Sequence, residues 1–190
     1  MDGRAVFRCK AQAVADCAGP SQRKRRVLGH AAFIATLAFG LIATTTAPPR
    51  PRLVWNASAS APVGLYAVGA PEHLDVGDMV IAWTPEPARM LAARRHYLPA
   101  NLPLVKRIAA AAGDRVCAGK YSVRINGRLA AARLAEDRNG RALPAWSGCR
   151  TLGSEEYLLL MDRAESFDGR YFGVTSGSDV IGRAWALWVR

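Results

Sequence analysis

Residues 27–47, VLGHAAFIATLAFGLIATTTA, contain no Asp, Glu, Lys or Arg. That length matches the roughly 20 residues an α-helix needs to cross a bilayer. Arg23-Lys24-Arg25-Arg26 stands directly before the segment and Pro48-Pro49 directly after it. The prolines stop the helix. By the positive-inside rule, the basic block leaves the N-terminus in the cytoplasm and sends everything beyond Ala47 across the membrane. Arg50 and Arg52 weaken that bias without reversing it. A cleaved secretory signal is the rival reading, with small residues near Ala47, but the apolar core is long for one. A buried core helix fits poorly with the adjoining charge block and double proline. The chain therefore reads as a basic cytoplasmic leader (1–26), a transmembrane signal-anchor (27–47) and an exported domain (48–190). The expected location is single-pass in the inner (cytoplasmic) membrane, with the domain in the periplasm.

The net charge of +11 over 190 residues raises the question of nucleic acid. Seven of the basic residues precede Val27, and the rest are scattered, mostly as single arginines. There is no sustained basic helix, no zinc spacing of Cys and His, and no aromatic RNA-binding run, so direct nucleic-acid binding is not expected. Of the four cysteines, Cys9 and Cys17 fall before the anchor and Cys117 and Cys149 after it. The first two would stay reduced, whereas the second two would meet an oxidising compartment, which points to a Cys117–Cys149 bridge. No CxxC occurs, and neither a metal nor another cofactor is expected.

Beyond Pro51 the sequence is strand-like, with turns at short intervals. Gly64-Leu65-Tyr66-Ala67-Val68 alternates, Gly77-Asp78 turns the chain into Met79–Trp83, and 85–97 suggests a short helix starting after Pro87. Leu104–Ile108 reads as a strand, Gly113-Asp114 as a turn, and Asn126-Gly127 as a hairpin signal after the alternating Tyr121–Ile125. Residues 131–146 are polar and without period, so a region of about 117–150 is expected to form an inserted flap or hairpin. Tyr157–Met161 and Ile181–Val189 read as buried and closing strands. The expected fold is a mainly antiparallel β domain on one N-terminal transmembrane helix.

Only Lys10, Lys24, Lys106 and Lys120 are lysines; arginine supplies the remaining positive charge. Arginine stays protonated at any usable pH, whereas lysine can lose its proton. Lys106 sits in Leu104-Val105-Lys106-Arg107-Ile108, where desolvation would favour the neutral amine. A neutral amine can take the proton from a serine hydroxyl and so make it nucleophilic. Ser60, in Asn56-Ala57-Ser58-Ala59-Ser60-Ala61-Pro62, is the candidate partner, since nothing around His30, His73 or His96 suggests a Ser-His-Asp site. Taken alone, a lysine so placed is better read as snorkelling its amine out from a strand edge, and it is the company Lys106 keeps that reverses this. Ser58 and Ser60 could be turn serines, with Asn56 shaping the same turn. Trp185 and Trp188 suit a core or a membrane interface better than a ligand site.

Three segments in order behind the anchor carry a resemblance: Ser60-Ala61-Pro62-Val63-Gly64-Leu65-Tyr66, then Val105-Lys106-Arg107 with Gly113-Asp114, then Ser166-Phe167-Asp168-Gly169-Arg170-Tyr171-Phe172-Gly173, followed by Gly182-Arg183-Ala184. Together they resemble the type I signal peptidases, and among them the TraF-type maturation peptidases of conjugative transfer systems. The resemblance implies a signal-peptidase-like β domain with Ser60 as nucleophile and Lys106 as general base. It further implies that Ser58 helps bind the oxyanion, Ser166 orients the lysine amine, and Asp168 and Arg170 form a supporting pair. Asp168 could instead serve Arg170 as a purely structural ion-pair partner. Three departures stand out. Proline falls two residues beyond Ser60 rather than three, which favours the conjugation branch. Leu160-Met161-Asp162-Arg163 replaces the usual Gly-Asp-Asn-Arg run. Gly169 replaces a serine common in the family, which bears on how Asp168 is positioned.

The reaction so implied is acyl transfer at a peptide bond of a membrane-tethered precursor, a pilin in the conjugation branch. The acyl-enzyme passes to water or to an amine, so hydrolysis and ring closure both stay open. Ser60 lies about a dozen residues beyond Ala47, which keeps the site near the bilayer surface at roughly 3.3–3.6 Å per extended residue at most. Other transfer-system proteins are conceivable partners. The alternatives are a general type I signal peptidase acting on exported preproteins, and a non-enzymatic membrane-anchored scaffold of an envelope complex.

Overall fold

The computed structural model describes residues 20–46 and 52–190. Most of the leader, with Cys9 and Cys17, and residues 47–51, with Pro48-Pro49, lie outside the described residues. The chain divides between Pro49 and Arg50 into two compact units. In the first, α1 (Pro20–Thr46) is a single helix of 27 residues, about 40 Å long at 1.5 Å per residue. Over Lys24–Ala43 it is long and apolar enough to cross a membrane. It starts seven residues before the expected span because Arg23–Arg26 are good helix formers and continue the helix past the apolar core. Proline at its first position has no N–H to leave unpaired.

Every strand pairing in the second unit is antiparallel. Its larger sheet contains β1 (Leu53–Asn56), β2 (Gly64–Val68), β3 (Met79–Ala82), β4 (Leu104–Ala110), β9 (Glu156–Leu160), β10 (Thr175–Ser176) and β11 (Val180–Val189). Their order is β1-β2-β11-β3-β4-β9-β10. The smaller sheet, in the order β7-β6-β5-β8, is built from β5 (Arg115–Ala118), β6 (Ser122–Ile125), β7 (Arg128–Ala132) and β8 (Gly148–Thr151). The region expected to form an inserted flap or hairpin contains the β6–β7 hairpin within this second sheet, and residues 133–147 between β7 and β8 are irregular apart from one isolated bridge, Glu136 to Ala142. Asn126 (φ 50°) and Gly127 (φ 81°) make the two-residue turn between β6 and β7, the left-handed pair that matches strand twist. Cys117 lies opposite Cys149 across β5 and β8, and the two form a disulfide. Closing a loop of that size stabilises the fold by about 3–4 kcal/mol in the chain-entropy account.

The helix α2 (Glu86–Arg94) begins one residue before Pro87 rather than after it, since proline is tolerated in a first turn. A four-residue helix, α3 (Gly169–Phe172), is too short to show a period in sequence. Strand β4 is central and almost wholly buried. Val105 packs with Ala61, Tyr66, Ile81 and Met161, and Ile108 packs with Val80, Ala82 and Leu159. Because side chains alternate along a strand, Lys106 shares its side of β4 with Leu104 and Ile108. It pairs with fully buried Val80 on β3. Trp185 and Trp188 are not core residues; both are about half exposed, and Trp188 stacks on Trp55.

Candidate active site

The loop 57–63 between β1 and β2 is shaped by one side chain. Asn56, at the end of β1, is buried. Its amide Nδ2 donates to the carbonyls of Ser58 (3.0 Å), Ala61 (3.2 Å) and Pro62 (2.9 Å). Its Oδ1 accepts the Ser58 N–H at 3.1 Å. The Tyr66 hydroxyl donates to the Pro62 carbonyl at 2.8 Å. A loop that would otherwise be free is therefore tied to its own flanking strands, with Ser60 at its bend.

Ser60 Oγ lies 2.6 Å from Lys106 Nζ, and Nζ lies 3.2 Å from Ser166 Oγ. Ser58 Oγ is 2.9 Å from Ser60 Oγ and accepts the Ser60 N–H at 3.4 Å. As an ammonium, Lys106 donates to both hydroxyls. A neutral amine in the same place can accept a hydrogen bond from the Ser60 hydroxyl along that short contact. Lys106 is 1% exposed. Desolvation pushes its pKa from 10.5 down to about 8, with the Asp168 charge raising it and the Arg170 charge lowering it. About a tenth of the amines are then neutral at pH 7, against fewer than one in a thousand for an ordinary lysine. The fold carries a penalty of about 3 kcal/mol for this, at about 1.36 kcal/mol per pKa unit. The penalty is absent above pH 10.5, grows as pH falls toward 8, and is full below that.

Asp168 and Arg170 touch neither Ser60 nor Lys106 by a hydrogen bond. They bind one another. Asp168 Oδ1 accepts from Arg170 Nε (2.8 Å) and the Arg170 N–H (3.1 Å), and Oδ2 accepts from Arg170 Nη2 (3.1 Å) and the Met161 N–H (3.0 Å). Arg170 also donates to the carbonyls of Met161, Ala132 and Ala164. Both side chains are essentially buried. The pair closes the loop 161–168, whose Ser166 stands against the lysine. Gly169 fits here because a Cβ would come 2.8 Å from the Leu159 carbonyl oxygen, so the departure from serine lets α3 approach β9. In the substituted run before it, Met161 is buried and Asp162 pairs with Arg107 at the surface.

Ser58, Ser60, Lys106 and Ser166 line one cleft of about 590 Å³. Its other walls include Phe167, from the Ser166 segment, and Thr84, Tyr97 and Leu143, none of which stands out in sequence. Thr84 is buried just past β3, and nothing in its neighbours marks it. Cys117 and Cys149 lie apart from the cleft, in the smaller sheet. No group of three or more His, Cys, Asp or Glu side chains that could hold a metal occurs among the described residues.

The family model described as signal peptidase, peptidase S26, matches residues 25–189. The chain belongs to the peptidase S26 family. A plasmid transfer protein TraF of Escherichia coli is 36% identical to this chain over 138 residues, covering 67% of this chain and 71% of its own length. A second plasmid transfer protein TraF of Escherichia coli is 37% identical over 138 residues, covering 66% and 77%. A solved signal peptidase I from Enterococcus faecalis shares 20% identity over 59% of this chain and 97% of its own, with a TM-score of 0.35. The peptidase S26 match spans both the Ser60 loop and the Ser166–Arg170 segment.

Proposed function

We propose that this chain is a membrane-anchored serine endopeptidase that processes a pilin precursor for a plasmid transfer system, with Ser60 as nucleophile and Lys106 as general base. The observation that carries the reading is the 2.6 Å contact between Ser60 Oγ and the desolvated Lys106 amine. Family membership supports peptidase chemistry, and the likeness to plasmid transfer proteins supports the setting. Neutral Lys106 takes the Ser60 proton as Oγ attacks the scissile carbonyl, and Ser166 steers the amine. The oxyanion is bound by the Ser60 N–H and the Ser58 hydroxyl, which turns from Ser60 to the substrate oxygen. Lys106, now an ammonium, returns the proton to the leaving amine, and water or a second amine releases the acyl group. Helix α1 anchors the enzyme in the inner membrane, with residues 48–190 in the periplasm and 1–26 in the cytoplasm.

Mass spectrometry of a co-expressed pilin precursor, with wild type beside Ser60→Ala, tests this. A mass loss at one internal bond with wild type alone is expected. An unprocessed precursor beside cleavage of unrelated exported preproteins would point to a general signal peptidase instead. Ser58→Ala is expected to lower kcat by roughly 10²–10³-fold with folding intact, the cost of one oxyanion donor. An inactive Ser58→Ala beside an active Ser60→Ala would exchange the two serines' roles.

A further inference from the structure

Residues 133–147 form a strap fastened at its roots and its tip. At the roots, buried Arg133 donates to the carbonyls of Gly119 and Trp146 (2.8 Å each) and Pro144 (3.4 Å), joining the outgoing and returning limbs. Trp146 Nε1 donates to the Gly169 carbonyl at 2.9 Å, and the Leu134 N–H donates to the Tyr171 hydroxyl at 3.2 Å, tying both limbs to α3. At the tip, the Asp137 carboxylate accepts from the Tyr97 hydroxyl, from Arg141 Nε at 2.7 Å, and from the N–H groups of Asn139 and Arg141 at 2.9 Å each. The Arg141 guanidinium lies 5.4 Å over the Tyr97 ring, and Arg95 donates to the Ala142 carbonyl at 2.8 Å. Tyr97 and Arg95 follow α2, forty residues or more from their partners in the chain.

The tip therefore crosses to the α2 bank and is clasped there. The Tyr97 ring in turn packs 5.3 Å from Phe167, the residue after Ser166. Ala92, Leu98, Leu134, Leu143 and Phe167 give this end of the cleft an apolar surface, continuous with Ser60 and Lys106. None of the clasp side chains bonds to Ser60, Lys106 or Ser166 among the described residues.

We propose that the Tyr97–Asp137–Arg141 clasp determines substrate specificity: it fixes the strap so that Leu134 and Leu143, which line the cleft together with Phe167, form the wall of a subsite for an apolar side chain of the precursor. The clasp residues are positioning residues and act on binding, not on proton transfer. The proposal rests on the peptidase reading above.

The test uses the full-length enzyme in detergent and two readouts. One is kcat and KM for a peptide spanning the precursor bond found by mass spectrometry. The other is phosphonylation of Ser60 by a small fluorophosphonate, too short to reach the strap. Tyr97→Phe keeps the ring against Phe167 and removes only the hydroxyl. It should raise KM roughly tenfold, in line with loss of a hydrogen bond to a charged group, with kcat and the phosphonylation rate within about twofold of wild type. Asp137→Asn should do the same, and Leu143→Ala should narrow the preference between peptides carrying small and branched apolar side chains. An unchanged KM in both clasp variants, or a parallel fall in kcat and phosphonylation, would overturn the proposal while leaving the peptidase reading in place. A wild type that neither cleaves nor is labelled at Ser60 would overturn both.

Discussion

Ser60→Ala and Lys106→Ala are each expected to reduce precursor cleavage by on the order of 10⁴-fold or more, with the protein still folded and membrane-bound. In the proposed mechanism Ser60 and Lys106 act as one unit, a hydroxyl and the amine that takes its proton, so removing either removes the step. The double variant should be scarcely worse than either single one. Ser60 is only partly buried and its loop is fastened through Asn56 and Tyr66 rather than through its own side chain, which is why folding should survive. Normal processing by either single variant, read by mass spectrometry of the precursor, would end the assignment.

Asp168→Asn is expected to act on stability first. It strips the countercharge from Arg170, which is 2% exposed. An uncompensated buried cation costs roughly 3–5 kcal/mol, a large part of the 5–15 kcal/mol typical of a domain. Thermal unfolding in detergent should fall by roughly 10–15 °C. Because the Asp168 charge raises the Lys106 pKa, the residual activity should titrate at lower pH than wild type. Replacing both partners, Asp168→Leu with Arg170→Met, should recover much of the stability, since no buried charge is then left alone. A variant with unchanged melting but no activity would instead make Asp168 a direct participant in catalysis.

What can be read from the sequence is what local chemistry writes there. A lysine among Leu104, Val105 and Ile108, taken together with the Ser60 and Ser166 segments, points to its own desolvation, and Asn126-Gly127 declares a hairpin. The apolar run of α1 declares a helix, though not its start, because arginines before it are equally content in a helix. Strand β8 gives no such signal, because all four of its residues are exposed and nothing alternates. The strap clasp is invisible for a different reason. Asp137 and Arg141 look like solvated charges on a polar stretch, and their partner Tyr97 is distant in the chain. Asp168 and Arg170 are legible as a pair, but the way they close the 161–168 loop is not. The four donors on the carboxylate, including the Met161 N–H, depend on backbone geometry that no spacing reveals.

The most direct test of the Ser60–Lys106 assignment is the pH dependence of kcat/KM for precursor-peptide cleavage, with Lys106→Arg measured alongside. If Lys106 is the base, activity requires the neutral amine. The rate should then rise tenfold per pH unit below a midpoint near 8 and level off above it. Lys106→Arg should be inactive throughout, because its charge is permanent. A profile that is flat from pH 5 to 9, or an active Lys106→Arg enzyme, would show that another group takes the Ser60 proton.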